Sequence, residues 1–121
     1  MAVRGVRGAT CLARDDAAEM VDAVSELVAA MLERNGFSAE DVISVMFTST
    51  PDLVSMFPAA AARAVAGFAD VPLMCACEIA VPGSLPRAVR VMMHVETTQP
   101  RDAIQHVYLR GAEVLRQDLL R

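Results

Sequence analysis

At 121 residues the chain fits one domain, residues 1–121, and its fifteen acidic residues outweigh eleven basic ones, all arginine, for a formal net charge of −4. A duplex-binding protein shows a basic face and an alkaline pI, whereas this sequence has a pI near 5.0. With no Trp and a single Tyr it also lacks the aromatic platform on which single-strand binders stack bases, so the composition argues against nucleic acid as a partner.

Along the chain, Ala2–Thr10 alternates loosely and predicts a first strand. Asp16 and Glu19 have the spacing of a capping box, and Ala17–Arg34 follows as a helix. Met20, Val24, Leu27, Val28, Met31 and Leu32 form one apolar stripe, with Glu19, Asp22, Glu26 and Glu33 mostly on the other side. Asn35-Gly36 supplies the left-handed stop. Ser38 and Asp41 cap a short turn before Val42–Thr48, whose β-branched and apolar residues predict a buried strand. Pro51-Asp52 turns the chain. Pro58 suits the first position of an Ala-rich helix, Ala59–Ala66, stopped by Gly67. Val71–Cys77 reads as a second apolar strand and Pro82-Gly83 as a turn. In Arg87–Thr97 the alternation is clear: Val89, Val91, Met93 and Val95 point one way, Arg90, Met92, His94 and Glu96 the other. Gln105–Leu109 is a last short strand before a polar tail. The order β-α-β-α-β-β-β makes the fold α+β with a mixed sheet and two helices.

The hydrophobic fraction of 55% and the mean hydropathy of +0.38 exceed the usual ~45–50% apolar content of a soluble domain. A membrane helix needs about 20 consecutive apolar residues. The longest uncharged stretches, Val42–Pro51 and Leu53–Ala62, are too short and carry Pro51 and Pro58. A domain this small has too little interior for so many apolar groups, so part of the excess is expected in a subunit interface of an obligate oligomer. Arg4 and Arg7 are not followed by the apolar run of a signal peptide, and three cysteines (Cys11, Cys75, Cys77) are an odd number for a disulfide framework. These features predict a cytoplasmic chain with reduced thiols.

Several residues carry chemistry. Arg90 sits mid-strand opposite four apolar side chains: it is either a solvent-facing strand arginine or the wall of a pocket for a carboxylate, phosphate or oxyanion. Arg7 lies between Gly5 and Gly8, which either loosen a strand end or let backbone pack closely. Glu78 ends an apolar run, as a solvated exit or as a carboxylate aimed into a pocket. Cys75 precedes it by three residues, which puts the two on opposite faces of a regular strand; alone it reads as a small buried hydrophobe. Cys75-Ala76-Cys77 with His94 and His106 lacks the spacing of a structural zinc site, so no metal is expected. Phosphate-loop and H-E-x-x-H patterns are absent.

Beyond these readings, the chain resembles the small trimeric α/β chorismate mutases over essentially its whole length. The resemblance rests on Arg4-Gly5-Val6-Arg7-Gly8-Ala9-Thr10, Thr50-Pro51-Asp52-Leu53 and Phe57-Pro58-Ala59. It continues through Val71-Pro72 to Cys75 and Glu78, then Arg90-Val91-Met92-Met93 and His106-Val107-Tyr108-Leu109, leading to Leu115-Arg116. It implies conversion of chorismate to prephenate, toward phenylalanine and tyrosine, without a cofactor. It also implies a homotrimer with a barrel-like core and active sites at subunit interfaces. By resemblance, Arg90 stands at the departing ether oxygen, and Glu78 and Cys75 contact the ring hydroxyl. Arg7, Tyr108, Arg63 and Arg116 match residues that bind carboxylates or close the site, and Phe57 and Leu115 match apolar walls. Ala60 and Met74 depart from relatives that carry Lys and Thr there. The competing expectation is a non-catalytic trimeric module that binds small anionic metabolites.

Overall fold

The structure is a computed structural model and describes residues 1–119, with side chains through residue 115. The long helix α1 (Ala17–Asn35) forms where the capping signals place it. The Asp16 carboxylate accepts the Glu19 N–H at 2.9 Å, and Gly36, at φ 70°, closes the other end. Glu19 does not complete the box: its carboxylate accepts the N–H groups of Ala13 and Arg14 instead, fastening the preceding loop. Met20, Ala23, Val24, Leu27, Val28 and Met31 are fully buried, and Leu32 is partly so.

Five strands make one mixed sheet in the order β3-β2-β4-β1-β5. At its centre β1 (Ala2–Cys11) and β4 (Ala88–Thr97) run antiparallel, and β2 (Val42–Ser49) is antiparallel to β4 on the other side. The edges are parallel pairings: β3 (Leu73–Cys77) with β2, and the two-residue β5 (Val107–Tyr108) with β1. Both helices cover the same face, where Val6, Val45, Phe47, Val89, Val91, Met93 and Val95 meet the α1 stripe. Gly8 decides how closely: a Cβ there would lie 2.5 Å from Met31 Sδ and 3.2 Å from Leu27 Cδ1. The glycine thus lets the Met31 and Leu27 side chains of the helix lie directly against the strand.

The larger differences from the sequence expectation lie in the second helix, β3 and β5. Helix α2 spans only Pro58–Ala62, because Ala64 and Val65 donate to carbonyls three residues back and Gly67, at φ 85°, turns the chain to bury Phe68. The run from Val71 becomes strand only at Leu73, since Val71 closes the turn that Phe68 begins. The last strand shrinks because Gln105 is bound by the Asn35 side chain and His106 Nδ1 accepts the Arg7 N–H. Beyond it, the polar tail forms a tight helical run over Ala112–Leu119.

Candidate active site

Opposite the helices, β4 turns Arg90, Met92, His94 and Glu96 onto a face that the Ala112–Leu119 run covers only around Ala9 and Tyr108. Register then fixes the neighbours of Arg90. Thr48 of β2 pairs with it on one side and Ala9 of β1 on the other, and Ala9 pairs in turn with Tyr108 of β5. Thr48, Arg90, Ala9 and Tyr108 therefore form one row across the sheet. Ala9 is its small member and is fully buried, packed with Tyr108 and Ala112. Arg7 lies on the same face, opposite Met92.

Glu78 joins the row from the end of β3. Its N–H donates to Ser49 O at 2.9 Å, extending the pairing by one residue. Its carboxylate then meets three donors: Thr48 Oγ1 at 2.5 Å and Arg90 Nε at 2.8 Å on Oε2, and Arg90 Nη2 at 3.4 Å on Oε1. The Arg90 side chain is 51% exposed and that of Glu78 19%, so the pair is half open to its surroundings. An ion pair this accessible adds little to stability by itself. Arg7, Met46, Thr48, Glu78, Arg90 and Met92 line a cavity of about 290 Å³ over this face. Leu115 closes a smaller one, about 50 Å³, beside Arg90 and Glu78.

Tyr108 is buried against Ala9 and Ala112, and its hydroxyl has no hydrogen-bond partner among the described residues. A buried hydroxyl without a partner costs free energy that a bound acceptor recovers. The structure thus brings together Arg7, Glu78, Arg90, Tyr108 and Leu115 among the residues expected from sequence.

Others lie elsewhere. Cys75 faces the helices, as its spacing from Glu78 predicts, and its Sγ accepts the Ala59 N–H at 3.3 Å. It lines a separate apolar cavity of about 550 Å³ with Leu53, Met56, Pro58 and Phe57, the last 74% exposed. Arg63 ends α2, exposed and without an ion pair among the described residues. The Arg116 side chain lies outside the described residues. The backbone of β3 has its own orientation: Val45 donates to Pro72 O and Glu78 to Ser49 O. In a parallel ladder that alternation turns the N–H groups of Leu73, Cys75 and Cys77 to the open edge. Thr48 and Ala9 had no signal in the sequence; only register reveals them.

Burial, then the charge of Glu113, raises the Cys11 thiol against the opposing pull of Arg87. Ser55, donating to Asp15 from its side chain and backbone, holds that carboxyl below its usual range. Among the described residues, no three His, Cys, Asp or Glu side chains converge as metal ligands would, and no helix is long and apolar enough to cross a membrane.

The family described as chorismate mutase type I matches residues 3–119. A chorismate mutase AroH from Bacillus subtilis is 43% identical over 98% of this chain and 94% of its own. One from Thermus thermophilus is 49% identical over 97% and 96%. Among solved structures, a chorismate mutase from Clostridium thermocellum superposes with a TM-score of 0.88 at 47% identity, covering 91% of this chain and 97% of its own.

Proposed function

The chain belongs to the type I chorismate mutase family and is a chorismate mutase, an isomerase of aromatic amino acid biosynthesis; we propose that its catalysis rests on the Arg90–Glu78 pair, at a site completed by a second subunit of a homotrimer. The reaction is an intramolecular rearrangement in which a carbon–oxygen bond breaks as a carbon–carbon bond forms. No nucleophile or proton transfer is required. A protein accelerates it by holding a flexible dicarboxylate in a compact chair, and by stabilising charge that grows only in the transition state.

The observation that carries the assignment is the pairing of Arg90 Nε with Glu78 Oε2 at 2.8 Å on a half-open face. Glu78 occupies one edge of the guanidinium, and the remaining donors stay available to the departing enolpyruvyl oxygen as it becomes negative. Glu78 receives the ring hydroxyl and balances positive character on the ring. Arg7 and the Tyr108 hydroxyl, without a partner among the described residues, bind substrate carboxylates, and Leu115 excludes water. A module that only binds anions gains nothing from a carboxylate beside its arginine, so the binding-only reading is the weaker one.

The split between the two groups of residues supports a composite site. Cys75 and Phe57 line a different cavity from Arg90, and Arg63 lines neither, so the ligand site of one copy does not include all of them. Exposed Val3, Met46 and Met74 on the open face supply apolar area for neighbouring copies. In the assembly Phe57 and Arg63 of the partner subunit close over Arg90, and the edge N–H of Cys75 of the partner subunit meets the ring hydroxyl. The first test is loss of chorismate ultraviolet absorbance beside Arg90→Ala, expected to lose about 10²–10³ in rate. Near-wild-type turnover would refute the role of Arg90. For the interface, Arg90→Ala and Arg63→Ala proteins are refolded together. A site shared between subunits regains activity in the mixture, and one confined to a single chain does not.

A further inference from the structure

We infer that Thr48 is a positioning residue for this reaction: its hydroxyl fixes the Glu78 carboxylate and thereby aims Arg90. The inference rests on the Arg90–Glu78 reading of the site and adds the group that holds the pair in place. Glu78 follows the last residue of an edge strand, with several rotatable bonds between its backbone and its carboxylate. Arg90 is half exposed, and an exposed ion pair does not keep two long side chains in one geometry by itself. Thr48 has neither freedom. It lies on β2, flanked by β3 and β4, and its branched side chain is stiff at χ1. It stands directly across from Arg90 in register.

From there Oγ1 donates to Glu78 Oε2 at 2.5 Å, the same oxygen that accepts Arg90 Nε at 2.8 Å. Two donors from adjacent strands thus converge on one carboxylate oxygen. Among the described residues Oε1 has a single hydrogen-bond partner, Arg90 Nη2 at 3.4 Å, and Glu78 lines the cavity over this face. A hydroxyl at this place selects which oxygen the arginine grips and which one the substrate meets. Valine, of the same shape without the donor, lets the carboxylate rotate and the guanidinium follow it.

The test compares wild type, Thr48→Val, Thr48→Ser, Arg90→Ala, Glu78→Ala and the Thr48→Val/Glu78→Ala double variant by steady-state chorismate kinetics, with circular dichroism to verify folding. Thr48→Val is expected to lower kcat/KM by about tenfold or more, mostly in kcat, the effect of removing a donor to a charged group. Thr48→Ser keeps the donor and stays within about threefold of wild type. In the Glu78→Ala background the valine substitution has almost no further effect, because the hydroxyl acts through that carboxylate. The inference is overturned if Thr48→Val keeps kcat/KM within about twofold, if serine fails to restore it, or if valine costs as much without Glu78 as with it. Should Thr48→Val fold poorly, the serine variant and Thr48→Ala with its Glu78→Ala cycle carry the same comparison. Arg90→Ala separates two failures. An active Arg90→Ala removes the site reading itself, whereas an inactive Arg90→Ala beside an unaffected Thr48→Val removes only the role of Thr48.

Discussion

Replacing Arg90 with lysine keeps a positive charge on the strand and removes the fork. The guanidinium spends Nε on Glu78 Oε2 at 2.8 Å and one Nη on Oε1 at 3.4 Å, and its other donors remain for substrate. A lysine ammonium is a single point. Either it sits against Glu78, short of the ether oxygen, or it reaches out and leaves the carboxylate to Thr48 alone. One transition-state donor is lost in both cases, worth about 3–4 kcal/mol, or ~10²–10³ in kcat. Stability should hardly move, within about 0.5 kcal/mol, because the side chain is half exposed on the face opposite the helices. The assay is initial-rate loss of chorismate absorbance at saturating substrate, with thermal unfolding of the same samples. A lysine variant that keeps kcat within about fivefold would show that charge alone suffices, and the argument from directed donors would be wrong. A large fall in both kcat and melting temperature would instead make Arg90 a structural residue.

Three further outcomes follow from the packing and from one titration. Gly8→Ala drives a Cβ to 2.5 Å from Met31 Sδ and should cost about 1–3 kcal/mol by denaturant unfolding; no loss would mean that Met31 moves aside freely. Asn35→Ala strips the Gln105 N–H of its 2.7 Å acceptor and frees the helix end from the β5 approach, for about 1–3 kcal/mol on the same assay; a neutral result would place water in the gap. The Asp15 carboxylate accepts the Val54 and Ser55 N–H groups at 3.1 and 3.0 Å, and its titration is lowered chiefly by the Ser55 side chain. A lowered native value stabilises the fold above the unfolded value of about 3.9, and that contribution disappears as pH falls through the native one. Asp15→Asn should therefore melt earlier than wild type at neutral pH and converge with it in acid. A gap that is constant with pH would contradict the assignment.

What the sequence reveals depends on how local the cause is. Helix α1 was legible at both ends because Asp16 and Gly36 act within one turn of it, and β4 because its alternation is strict over Val89–Glu96. The Ala59–Ala66 expectation overran because nothing local shows that Phe68 must return to the core. Gln105 and His106 looked like strand for the same reason: their partners, Asn35 and Arg7, lie 70 and 99 residues away. At the site, Arg90, Glu78 and Arg7 stand out as charges in apolar or glycine-flanked surroundings. Thr48 and Ala9 are ordinary residues whose importance exists only once strands are paired.

That pairing has a consequence for how the enzyme can fail. Thr48, Arg90, Ala9 and Tyr108 belong to four strands, and a slip of any central strand by one residue reverses every side chain on it. In β4 such a slip would carry a guanidinium into the hydrocarbon interior and bring Val91 out to meet chorismate. The core forbids that state far more strongly than the loss of a reaction ever could. Activity is thereby insured by folding itself: a population of these molecules under heat or denaturant should contain working enzymes and unfolded chains, with few intact but misaligned ones between.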